Sequence, residues 1–138
     1  MKVSELMTRD VEIANPNDTI EAAARLMAKI DAGVLPVGEE NHLVGMITDR
    51  DITIKGVASG KDPKSTKVRD VMTGEIKYCF EDEDVDRVAD NMADLQLRRL
   101  PVVNRDKRLV GIVSLGDIAT GHKPSKAGEA LSGISQRH

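Results

Sequence analysis

One feature constrains the fold more than any other: most of the chain is written twice. Lys2-Val3-Ser4-Glu5-Leu6-Met7-Thr8 matches Lys67-Val68-Arg69-Asp70-Val71-Met72-Thr73 at an offset of 65, which also aligns Ile20 with Val85, Met27 with Met92 and Leu35-Pro36-Val37 with Leu100-Pro101-Val102. A one-residue insertion then shifts the offset to 66, where Leu43-Val44-Gly45-Met46-Ile47-Thr48 falls on Leu109-Val110-Gly111-Ile112-Val113-Ser114 and Asp51-Ile52 on Asp117-Ile118. Duplication at this length means one unit of roughly 60 residues used twice, and 138 residues are enough for one domain with a real core if the halves pack against each other, so two independent domains are not expected.

Within the first copy, Asp18-Thr19-Ile20-Glu21 reads as a capping box, and Ile20, Ala23, Ala24, Met27 and Ile30 recur at helical spacing. The counterpart begins near Glu83 and sets Val85, Val88, Ala89, Met92 and Leu95 on one face, with Asp82, Asp84, Asp86 and Asp90 charging its start and outer side. Two short apolar runs follow each helix, residues 34–37 and 43–47, then 100–103 and 109–113. The polar turns between them, 38–42 and 104–108, predict hairpins. A second helix is expected from Thr48 or Ser114, each with a carboxylate three positions on, turning Ile52 and Ile54 or Ile118 inward. The pattern predicts an α+β fold of tandem β-α-β-β-α repeats: copy one over residues 1–59, a breaker-rich linker over 60–66, copy two over 67–121, and a tail over 122–138 with a short helix near 125–134.

Composition removes several alternatives. Tyr78 and Phe80 are the only aromatic residues, so the core is aliphatic and stacking platforms for single-stranded nucleic acid are excluded; a bound base must rest on aliphatic side chains or backbone. A net charge of -3 with dispersed Lys and Arg gives no basic stripe for a phosphate backbone. Cys79 is the only cysteine, which excludes an internal disulfide and fits a reducing compartment. With no hydrophobic signal region and no apolar run of membrane-spanning length, a cytoplasmic location is expected.

In this order and in duplicate, three segments resemble a tandem pair of cystathionine β-synthase (CBS) domains, a Bateman module, over about residues 2–121. They are the Val-x-[Glu/Asp]-h-Met-Thr openings (h, hydrophobic), the Leu-Pro-Val strands and the Leu-Val-Gly-h-h-[Thr/Ser]-x-x-Asp-Ile segments. The resemblance implies two small mixed sheets packed about a pseudo-twofold axis, clefts between the copies, and a flat homodimer formed through helices. It also implies an adenosine-containing ligand (AMP, ADP, ATP, NAD(H) or S-adenosylmethionine) that modulates an attached or partner protein. No effector domain is expected on this chain, so the regulated protein is a separate, unidentified partner.

The [Thr/Ser]-x-x-Asp segments suit such a ligand, because a hydroxyl and backbone N–H groups at a helix start favour phosphate, and the Asp one turn on can accept both ribose hydroxyls. Thr48 with Asp51 and Ser114 with Asp117 are therefore the leading ligand residues. The same pattern is also a plain capping box, worth about 1 kcal/mol to a helix without any ligand, and the two roles can coexist. Positive charge differs between the copies: Arg98 and Arg99 precede Leu100, where related modules place cations near phosphates, whereas the first copy has Gly33 and Val34. Adjacent arginines point in different directions, so at least one is expected on phosphate while the other can be solvated. Arg50 either supplies the charge in the first copy or pairs with Asp49 or Asp51 at the surface. By the resemblance, backbone and apolar side chains of the strand before the first helix read the base, which maps to Val11, Ile13 and Ala14 or to Ile76, Tyr78 and Cys79.

His42 falls in a turn, His122 beyond the last motif and His138 at the end, so no catalytic or metal site is expected. Met7, Met27, Met72 and Met92 read as core filler. The expected function is a non-catalytic, nucleotide-responsive homodimeric switch whose Arg98/Arg99/Ser114/Asp117 cleft holds phosphate more tightly. Three other readings stand beside it: a structural dimerisation module without ligand, a small nucleotide-acting enzyme, and a nucleic-acid binder using Arg98, Arg99, Arg105, Lys107 and Arg108, whose signature is strong salt dependence.

Overall fold

Val3 and Met7, from the opening of the first copy, are buried among residues of the second, while Val68 and Val71, from the opening of the second, are buried among residues of the first. The computed structural model describes residues 1–121 and 124–135 and divides into two units, Glu12–Ile76 and Met1–Val11 with Lys77–His138. The spatial units therefore partition the chain differently from its sequence copies, because each opening turn buries its apolar side chains in the other copy's sheet and helices. Both units are α+β, each built on one small sheet.

In the unit Glu12–Ile76, helix α1 (Ile20–Ile30) buries Ile20, Ala23 and Met27. Its cap is Thr19, whose hydroxyl accepts from the Ala22 amide at 3.1 Å, rather than Asp18, whose carboxylate instead accepts from the Asn15 amide at 3.2 Å. Strands β1 (Val34–Glu39) and β2 (His42–Thr48) pair antiparallel around a two-residue turn, Glu40 and Asn41, with φ of 53° and 67°. Both strands run further toward the tip than the apolar runs, because two left-handed residues suffice for a tight hairpin turn. The strand expected before α1 is reduced to a single parallel bridge between Ala14 and Val37.

After β2 come helix α2 (Asp49–Asp51) and a π-helical turn (Ile52–Val57), whose wider spacing carries Ala58 N–H back to Thr53 O at 2.8 Å. This corrects the expectation that Ile54 turns inward. With about five residues between bonded groups, Gly56 faces the core, where a Cβ would stand 2.8 Å from Ile20, and Ile54 and Val57 are 48% and 58% exposed.

In the other unit, β3 (Cys79–Phe80) pairs parallel with β4 (Arg99–Val103), which pairs antiparallel with β5 (Leu109–Ser114). Helix α3 (Val85–Leu95) buries Val85, Val88, Ala89 and Met92, and α4 (Leu115–Gly121) buries Ile118. The β4–β5 turn carries the inserted residue, and the Asn104 side chain closes it by accepting the amides of Asp106 and Arg108, each at 3.0 Å. Helix α5 (Pro124–Ser135) packs on α3 and α4, with Ala130 buried and Gly133 so close that a Cβ would stand 2.7 Å from that of Ala93. His122 and His138 lie outside the described residues. Among the described residues no helix is long and apolar enough to cross a membrane.

One device recurs in both units. The Thr73 amide and carbonyl bridge Met46 at 2.8 and 3.1 Å, and those of Thr8 bridge Ile112 at 2.8 and 2.9 Å, so each Met-Thr opening adds a rung at the sheet edge. Crossing there leaves no room beside the strand glycine: a Cβ on Gly45 would stand 2.9 Å from Thr73 O, and one on Gly111 2.8 Å from Thr8 O.

Candidate functional site

In the unit containing α4, the end of β5 and the start of the helix are tied by a reciprocal pair of bonds. The Ser114 hydroxyl accepts from the Asp117 amide at 3.1 Å, and Asp117 Oδ2 accepts from the Ser114 amide at 2.9 Å. The capping box is thus fully formed, and it uses one carboxylate oxygen. The other, Oδ1, has no protein partner among the described residues, and the position one turn on is Gly121, against which Leu6 packs.

The β4–β5 register sets Arg99 directly opposite Ser114, and cross-strand partners share a face of the sheet. Arg98, one residue earlier, contributes its carbonyl, which accepts from the Leu115 amide at 3.0 Å. Both arginines are exposed and make no ion pair among the described residues. The register singles out Arg99 as the cation beside the hydroxyl, a choice that sequence alone left open.

The first copy repeats the frame. Thr48 Oγ1 accepts from the Asp51 amide and Asp51 Oδ2 from the Thr48 amide, both at 3.0 Å, Val34 stands opposite Thr48, and Gly33 O accepts from the Asp49 amide at 2.9 Å. Its charges differ. Asp51 Oδ1 is paired with Lys55 at 3.2 Å, so the surface ion pair forms with Lys55 and not with Arg50. Arg50 lies with Asp49, Thr53 and Ile54 along an open depression of about 320 Å³.

Of the residues expected to read the base, Ala14 belongs to the core. Its side chain is buried, its amide donates to Pro36 O at 2.9 Å and its carbonyl accepts from the Gly38 amide at 2.9 Å, so neither side chain nor amide is offered to a ligand. Cys79, its counterpart, is likewise buried, and burial together with the nearby Glu83 carboxylate pushes its thiol up to about 12. Alternation along the strand leaves Ile13 half-buried and Tyr78 exposed. Tyr78 is braced edge-on by Phe80 at 5.7 Å, and the Arg105 guanidinium covers the Phe80 ring at 4.1 Å. Sequence reasoning missed this support, which is carried by a hairpin residue far along the chain.

The basic cluster is partly cancelled. Arg105 is held by Asp82 through two bonds of 2.7 and 2.9 Å, and this hydrogen bonding keeps the Asp82 carboxyl below its ordinary range. Among the described residues no group of three or more His, Cys, Asp or Glu side chains is placed to hold a metal ion.

Comparison with known proteins bears on this frame. Residues 3–55 and 68–121 each match the CBS domain family. The CBS domain-containing protein YhcV of Bacillus subtilis is 40% identical, over 99% of this chain and 96% of that protein. The CBS domain pair of protein MJ0100, solved in complex with 5′-methylthioadenosine and S-adenosyl-L-methionine, superimposes with a TM-score of 0.75 at 33% identity, covering 87% of this chain and 94% of that one. The structure of CBSX2 in complex with AMP gives a TM-score of 0.74 at 26% identity, covering 86% and 93%.

Proposed function

Because the chain belongs to the CBS domain family and carries two copies of that domain, we propose that it is a non-catalytic sensor of adenosine-containing ligands that modulates a separate partner protein. The observation that carries the reading is the second copy's frame: Arg99 stands across the ladder from Ser114, and among the described residues the adjacent Asp117 keeps Oδ1 without a protein partner. In this reading Oδ1 accepts the ribose hydroxyls, Arg99 with Ser114 holds a phosphate, Arg98 adds positive charge, and Tyr78 offers the base an apolar edge. Thr48, Asp51 and Ile13 form the corresponding site of the first copy, with Arg50 beside it. The adenosine ligands of MJ0100 and CBSX2 support the ligand class.

Calorimetric titration of AMP, ADP, ATP, NAD(H) and S-adenosylmethionine into the wild type, Asp51→Ala and Asp117→Ala tests it. Removing a charged acceptor costs about 1.5–3 kcal/mol, so Asp117→Ala should weaken at least one of these ligands about tenfold to a hundredfold. No heat with any ligand, or equal affinities in all three proteins, overturns the assignment.

A second element of the reading is a homodimer. Ile54 and Val57, three positions apart on the π turn, are both exposed, and an apolar surface of this kind supports association of two copies through helices. These residues also favour the rival reading of a dimerisation module without ligand, which predicts association in the absence of any titration heat.

A further inference from the structure

We propose that Asp49 makes the first copy's site select against 5′-phosphates, so that it takes adenosine derivatives with an uncharged or cationic 5′ substituent while the second copy takes the anionic ones. The proposal rests on the ligand reading above and goes beyond it by naming the residue that sets the preference. The backbone is the same in both copies: Gly33 O accepts from the Asp49 amide at 2.9 Å, and Arg98 O from the Leu115 amide at 3.0 Å. What differs is the side-chain pair at those two positions, Gly33 with Asp49 against Arg98 with Leu115.

Asp49 folds back over this backbone. Its Oδ1 accepts from the Arg50 amide at 2.8 Å, and its Oδ2 lies where a side chain at residue 33 would begin, 2.9 Å from the position of a Cβ on Gly33. The carboxylate thus occupies a donor that a phosphate needs and adds a negative charge next to Thr48. Leu115 has no acceptor to offer the equivalent amide of Gly116. Within the stretches that frame the first site, residues 33–34 and 48–55, the charged residues are Asp49, Arg50, Asp51 and Lys55, two of each sign, with Lys55 already on Asp51. Within the equivalent stretches of the second, residues 98–99 and 114–121, they are Arg98, Arg99 and Asp117, a net positive set. The glycine and the aspartate adjoin, since a Cβ at residue 33 would require the Asp49 carboxylate to shift.

Adenosine and AMP share base and ribose and differ only by the phosphate, so their affinity ratio reads the effect directly. In Asp117→Ala protein, where the second site is weakened about tenfold to a hundredfold and the first dominates the titration, adenosine should bind at least as well as AMP. Adding Asp49→Asn should raise the AMP-to-adenosine affinity ratio by about tenfold, the scale of one carboxylate near a phosphate at a protein surface. The converse change, Leu115→Asp in an Asp51→Ala background, should lower that ratio at the second site. Ratios unchanged in both backgrounds overturn the role of Asp49 while leaving the ligand reading in place. If Asp117→Ala protein binds neither probe, or binds adenosine equally after Asp51→Ala is added, the first site itself is misassigned and the proposal falls with it.

Discussion

Gly45 and Gly111 are held to glycine by a carbonyl oxygen and a methionine sulfur standing where a Cβ would go, not by an unusual backbone conformation. Gly60 is the opposite case, with φ of 76° and open space around it. Because the Thr8 carbonyl is fixed by its bond to Ile112, Gly111→Ala cannot be absorbed by a side-chain shift. Overpacking of this kind costs about 1–3 kcal/mol, so thermal melting of Gly111→Ala should fall by at least about 3 °C; an unchanged melting temperature would show that the opening can move off the strand. The glycine was legible in the sequence as part of a doubled motif. Its reason was not, because the Met-Thr segment that crosses Gly111 lies about a hundred residues earlier in the chain. The candidate site residues divide in the same way. The Ser114/Asp117 and Thr48/Asp51 pairs follow from local spacing, whereas the choice of Arg99 over Arg98 needed strand register, and the loss of Ala14 to the core needed the phase of a strand one bridge long.

At the level of elements, hydrophobic spacing located α1, α3 and both hairpins because these are ordinary helices and alternating strands. It failed over Ile52–Val57, where a period of 3.6 was assumed and the turn is wider. A π turn leaves no signature in the apolar pattern; Ile54 simply comes out on the other side. The exposed pair that results carries its own prediction. Ile54→Glu combined with Val57→Glu should shift sedimentation toward the monomer while leaving the melting temperature near that of the wild type, since neither side chain contributes to the core of its unit. Retention of a dimer in this variant would place the association elsewhere.

At the scale of the whole molecule, the exchange of openings decides how the chain can be divided. A cut after Asp62 separates the sequence copies yet removes Val3 and Met7 from one core and Val68 and Val71 from the other. Each buried apolar side chain is worth about 1.5–3 kcal/mol, and two of them approach the whole stability of a small domain, about 5–15 kcal/mol. Fragments 1–62 and 63–138 should therefore show no cooperative melting alone and regain it when mixed, as followed by circular dichroism; independent folding of either would refute the exchange. The same arrangement bears on why the repeat is joined at all. A lone copy carries an opening it cannot use and a sheet edge it cannot fill, so two lone copies would finish each other only by meeting in solution. The short linker converts that encounter into an intramolecular one at an effective concentration on the order of millimolar. Completion of both sheets is thereby freed from dependence on how much of the protein is present.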